Sequence, residues 1–147
     1  MNWQIKHFRE LGTEELYRIF HVRLEIFSVE QNCPYQDADG KDQRSWHVMG
    51  YHGDGKLVAY ARLVEPGVSY DEVSIGRVVT TAEVRGTGAG KELMKVCLDF
   101  IQKQYGKVPV RISAQCYLKR FYEGFGFQTV GEEYEEDHIP HVEMLRP

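Results

Sequence analysis

Arg85-Gly86-Thr87-Gly88-Ala89-Gly90-Lys91 is the stretch that most restricts what this chain can fold into. Val73 to Thr80 before it is rich in β-branched residues and reads as a strand. After it, Leu93, Cys97, Phe100, Ile101 and Tyr105 share one helical face. The turn therefore joins a strand to a helix N-terminus. Such a terminus leaves backbone N–H groups unpaired and carries partial positive charge. Glycines, having no Cβ, let an anion come close to those groups. One or two glycines suffice to reverse a chain; three, alternating with small residues and flanked by Arg85 and Lys91, point to a phosphate-bearing ligand.

Spacing narrows that ligand. A Walker A loop requires glycine where Arg85 stands and Ser or Thr where Glu92 stands. A dinucleotide fingerprint begun at Gly86 or Gly88 needs its third glycine at Lys91 or Leu93. Both patterns fail, which counts against a nucleotide-binding domain. What remains is R-x-x-G-x-G at a strand-to-helix junction.

The rest of the chain reads as a mixture of strands and helices. Trp3 to Phe8 alternates as a short strand, and Thr13 caps a helix whose apolar face is Leu16, Ile19, Phe20, Leu24 and Phe27. Ser28 to Arg44 is polar and long for a bare loop, so it is expected to carry a short helix or serve a site. Trp46 to His52 and Leu57 to Glu65 form a hairpin around Gly53-Asp54-Gly55, and Pro66-Gly67 breaks the chain. Val110 to Ala114 is a strand, Leu118 to Phe125 a short helix with Gly126 as its cap, and Phe127 to Tyr134 and His141 to Leu145 are closing strands. The order βα, βββ, αβαββ predicts an α+β (mixed α/β) domain around one central sheet, with residues 1–147 forming a single domain.

Charge and composition exclude several classes. The net charge of −4 and pI near 5.9 argue against a nucleic-acid binder, which needs a basic face. No apolar run is long enough for a transmembrane helix, and MNWQIKHFRE lacks the apolar core of a signal peptide. Cys33, Cys97 and Cys116 are odd in number and far apart, which fits a reducing, cytoplasmic setting. No cysteine pair has zinc-ligand spacing, and His47, His52, His138 and His141 form no ligand pattern, so no metal is expected.

The loop resembles the acetyl-CoA pyrophosphate loop of the GNAT superfamily of N-acetyltransferases. SIGRVVTTAEVRGTGAGKELM is similar to the family's fourth strand and loop, and AQCYLKRFYEGFGFQTVGEEY to its second cofactor-contacting motif, ending in Y-x-x-F-G-F. VEQNCPYQDADGKDQ and EEDHIPHVEM are similar to the ElaA-like branch. The resemblance implies a central, mostly antiparallel twisted sheet flanked by helices, in which two roughly parallel neighbours splay at a cofactor slot. It implies acetyl transfer from acetyl-CoA to an amine by direct attack on the thioester. The alternative is an acyl-CoA sensor that has lost catalysis.

Carried onto this sequence, the resemblance gives Arg77, Val78 and Val79 backbone pairing with pantetheine, the Val79 N–H facing the thioester oxygen. Arg85, Gly86, Thr87, Gly88, Ala89 and Gly90 wrap the pyrophosphate. Gln115 stands where many members have Asn, keeping the amide at a larger size. Tyr122 holds the position of the usual general acid; a tyrosine packing its ring in the core is the other reading. The base is less determined. Glu30, His47, Asp39 and Asp42 are the candidates, and Glu30 ranks first, because burial can raise a carboxyl's pKa toward neutrality. Asp39, Asp42 and His47 are expected in the acceptor pocket. Glu132, Glu133, Glu135, Glu136 and Asp137 read as a solvated strand-end cluster, with attraction of a cationic amine as the alternative. The acceptor is a small-molecule or peptide amine: a polyamine, an antibiotic, an amino acid or a protein N-terminus. A homodimer is compatible with the family.

Overall fold

The computed structural model describes residues 1–147. Its elements are β1 (Asn2–His7), α1 (Thr13–Leu24), β2 (Ser45–Tyr51), β3 (Leu57–Val64), β4 (Ser74–Thr80), α2 (Ala89–Tyr105), β5 (Val110–Gln115), α3 (Lys119–Glu123), β6 (Gln128–Glu136) and β7 (Ile139–Arg146). The strands form two antiparallel sheets, β1-β2-β3-β4 and β5-β7-β6. One parallel bridge joins them, Val73 to Val110, where the Arg111 N–H donates to the Val73 carbonyl at 3.1 Å. Beyond it β4 and β5 part. The single sheet expected from sequence is thus two sheets sharing one seam, and the splayed pair is where the family resemblance put it.

β3 runs through the middle of the first sheet and is buried along its whole length, which is why LVAYARLV is nearly continuous in apolar character. Ala59, Ala61 and Leu63 face α2, whose Leu93, Met94, Cys97 and Ile101 also meet Ile112 of β5 and Val142 and Met144 of β7. One apolar core therefore serves both sheets. On the opposite face Tyr60 packs with Met49 and Val79 against Ile19, Val22 and Ile26 of the first helix and its extension.

That helix departs from its expected form. Gly12, not Thr13, is the N-cap, and its N–H donates to Glu15 Oε1 at 2.8 Å. At the other end the helix continues as a π-helical turn, Glu25–Glu30, whose extra residue rotates the face. The buried set is Ile19, Val22, Arg23 and Ile26, while Leu24 is 42% exposed. Arg23 goes inside because carboxylates from the following segment are there to receive it. The final strand also starts earlier than expected. Asp137 and His138 both take positive φ (51° and 64°), as a two-residue type I′ turn requires, so β7 begins at Ile139 and includes Pro140.

Candidate active-site cleft

A cleft of about 900 Å³ runs along the gap between β4 and β5 and ends at the glycine-rich turn. At that end Gly86 and Gly88 take φ of +80° and +86°, and a Cβ on either would meet no protein atom within 4 Å. No protein group accepts from the backbone N–H of Gly86, Gly88, Ala89, Gly90 or Lys91. Five unpartnered donors at and just before a helix N-terminus fit a pyrophosphate anion. Arg85 lies across the turn, its guanidinium donating to the Thr80 carbonyl and pairing with Glu30.

The middle of the cleft is bounded by the free edge of β4. Gly76 pairs with Arg62 and Val79 with Tyr60, so Arg77 and Val78 together oppose Ala61 in a bulge. Arg77 takes φ of +50° there. The strand bends at the bulge, and past Val73 no protein strand pairs with this edge. Gln115 lines the opposite wall, and its amide donates to Gln31 Oε1 at 3.4 Å across the gap. Tyr122 also lines the cleft although it is 7% exposed, its ring set edge-on against Phe121 and Phe127. Burial pushes its phenol well above the ordinary tyrosine range, so the proton is held.

At the other end the segment after α1 arches over both sheets. Asp37 receives Arg77 Nε at 3.1 Å, and the Cys33 thiol donates to the Asp137 carbonyl at 3.2 Å. Beneath the arch lies an ion network. Arg23 Nη1 bonds Asp42 Oδ1 at 2.7 Å, Arg62 Nη1 reaches the same oxygen at 3.0 Å, and Arg62 also clamps Asp39. With Arg77 and Asp37 the network has three arginines and three aspartates, and its charges cancel. Burial alone would push the Asp42 carboxyl up; the hydrogen bond and charge of Arg23, with Arg62, outweigh it and hold the carboxyl low.

These positions sort the acceptor candidates. Glu30, Asp39, Arg77, Val78, Val79, Arg85, Gly90, Gln115 and Tyr122 line the cleft; Gly86, Thr87, Gly88 and Ala89 lie between Arg85 and Gly90 in the chain and do not line it themselves. Asp42 and His47 do not line it. Asp42 is consumed by Arg23 and Arg62, and His47 is wholly buried between the Tyr60 hydroxyl (2.6 Å) and the Asp42 carbonyl (3.0 Å). Burial lowers the His47 pKa to about 4, so the ring is neutral. Asp39 reaches the cleft wall with its carboxylate engaged by Arg62 and Arg77. Glu30 lacks the burial on which its candidacy as base rested: its side chain is 42% exposed and paired with Arg85. Arg62, Tyr70 and His141, none of them expected from sequence in the cofactor or acceptor site, also line the cleft. A lone arginine inside the apolar run LVAYARLV was a visible sign of the first.

A family model described as an acetyltransferase (GNAT) domain matches residues 22–146. ElaA of Escherichia coli is 42% identical over 148 residues, covering 99% of this chain and 96% of its own length. Its crystal structure matches with a TM-score of 0.93. A UPF0039 protein of Synechocystis is 41% identical over 145 residues, covering 99% of this chain and 94% of the relative. The crystal structure of an acyl-CoA N-acyltransferase from Pseudomonas aeruginosa matches with a TM-score of 0.94 and 41% identity, covering 100% of both chains.

Proposed function

The chain belongs to the GNAT acetyltransferase family and is an acyltransferase drawing on acyl-CoA, and from that premise we propose that it moves an acetyl group from acetyl-CoA to an amine by direct attack. The observation that carries this reading is the continuity of the cleft. The cleft reaches Arg85 and Gly90 of the turn that leaves five N–H groups unpartnered before and at the start of α2, runs beside the free edge of β4, and opens beside Tyr122.

Each part has a chemical task. The turn from Arg85 to Gly90 binds the pyrophosphate. The β4 edge at Arg77 to Val79 pairs with the pantetheine amides like an added strand, and Gln115 supplies an amide from the facing wall. A main-chain N–H on the free edge of the β4 bulge stabilises the oxyanion formed when nitrogen attacks the thioester. The buried Tyr122 phenol gives its proton to the departing thiolate.

The test is a melting experiment followed by turnover. CoA at 100 times its dissociation constant stabilises a folded protein by about 2.7 kcal/mol. An unchanged melting temperature at millimolar CoA refutes the cofactor site. Stabilisation by CoA without thiol release across a broad amine panel instead supports an acyl-CoA sensor.

A further inference from the structure

We infer that His141 is the base that deprotonates the acceptor's ammonium group, with Glu136 holding the cation beside it. The inference rests on the acetyl-transfer reading above. Cross-strand register sets Tyr134, His141 and Gln115 in one row across β6, β7 and β5. Direct neighbours in such a row have Cβ atoms about 4.5–5.5 Å apart. The imidazole is thus one strand away from the amide that faces the cofactor gap, and His141 and Glu136 both line the cleft.

The ring's own contacts identify its free nitrogen. Nδ1 lies 2.7 Å from the Ile139 carbonyl oxygen. A carbonyl only accepts, so Nδ1 carries the hydrogen and the neutral ring leaves Nε2 bare. Nε2 is 3.5 Å from Glu136 Oε2. A bare ring nitrogen and a carboxylate are both acceptors, and a primary ammonium approaching from the cleft donates to each. The ring is 6% exposed and stacked on Tyr134, with centroids 6.1 Å apart and planes at 25°. The Tyr134 hydroxyl is hydrogen-bonded to Ser113, which fixes the stack. Of the bases suggested by sequence, Glu30 and Asp39 are engaged by arginines and His47 is sealed off.

The step balances as follows. One ammonium proton passes to Nε2, leaving its electron pair on nitrogen. That pair forms the C–N bond at the thioester carbonyl carbon. On collapse the C–S bond breaks, and sulfur leaves with the bonding pair and takes the Tyr122 proton. The surplus proton on nitrogen restores the phenol, and the imidazolium beside Glu136 releases its proton to solvent. Acetyl-CoA and an ammonium give an amide, CoA thiol and one proton.

Two measurements on the full chain test this. In ¹⁵N-histidine spectra, assigned by comparison with His141→Gln, neutral His141 should carry its proton on Nδ1, and methylammonium should shift Nε2. A proton on Nε2 in the neutral ring overturns the proposal. Thiol release from acetyl-CoA is then compared for methylamine, an ammonium near neutral pH, and hydroxylamine, which is already neutral. His141→Gln should lose methylamine turnover by about 100-fold to 10,000-fold while retaining hydroxylamine turnover. Free imidazole should partly restore methylamine turnover in His141→Ala. Equal loss with both amines, or undiminished methylamine turnover, overturns the base role. Failure of the transfer reading looks different: wild-type protein binds CoA and acetylates neither amine.

Discussion

Arg85 is held from two sides: Nη1 lies 2.5 Å from Glu30 Oε1, while Nε and Nη2 donate to the Thr80 carbonyl at 3.1 and 2.9 Å. The pair stands at the glycine-rich end of the cleft, where the Glu30 charge opposes an incoming anion. Both side chains are 42% exposed, and exposed pairs contribute at most about 1 kcal/mol. Glu30→Gln should therefore strengthen CoA binding by up to about fivefold and leave kcat unchanged. Calorimetric titration and steady-state thiol release check both halves; a kcat loss near 100-fold would restore Glu30 as base.

Gly88 separates ligand binding from folding. Its φ of +86° is strained for any residue with a side chain, at about 1–2 kcal/mol, yet the space beside it is open. Gly88→Val should fold with a melting temperature lowered by a few degrees and lose CoA binding. Normal CoA affinity in this variant would make the glycine a turn residue only.

Tyr122→Phe should lower kcat by about 100-fold, the low end for general acids because a thiolate is already a fair leaving group. Acetyl-CoA affinity should hold, since the phenol's proton is needed only after attack. The ring keeps its edge contacts with Phe121 and Phe127, so the melting temperature should move little. If Phe supports full turnover and only Ala is harmful, Tyr122 is a packing residue.

His47 gives the fold an acid sensitivity of its own. Burial lowers its pKa from the ordinary 6.5 to about 4, so between those values the unfolded chain binds more protons than the folded one. Stability is complete above pH 6.5 and falls as pH drops toward 4, by roughly 3 kcal/mol. Urea unfolding across that window should show the slope, and His47→Gln should flatten it. The carboxylate of Asp42, held low by Arg23 and Arg62, adds its own loss only at more acidic pH.

Much of the architecture was readable because the signals are local. The apolar run of β3, the glycines before α2 and the Gly53-Asp54-Gly55 turn each specify their own neighbourhood. The first helix was misread where its partners are remote. Periodicity turned Leu24 inward, but Arg23 is buried by Asp37 and Asp42, residues 14 and 19 positions away. Arg62, with Arg23 and Arg77, likewise redirects the acceptor candidates: Asp39 and Asp42 looked available as isolated loop carboxylates and are already spoken for. The free edge of β4 and the unpartnered N–H groups of the glycine-rich turn were legible for the opposite reason. Both are main-chain features, whose placement follows from one contiguous motif.

The lone seam at Val73 and Val110 leaves the width of the cleft to be set by the molecule's interior. β4 and β5 have no other backbone bridge to set their separation. Their spacing is fixed from below, where Ile112 both lines the cleft and packs in one core with Leu93 and Cys97 of α2. Widening the slot therefore means rotating one sheet about that seam and lifting Ile112 from the helix. Methylene-scale changes at Leu93 or Cys97, which never meet a substrate, would act as a gauge for how bulky a thioester the enzyme admits.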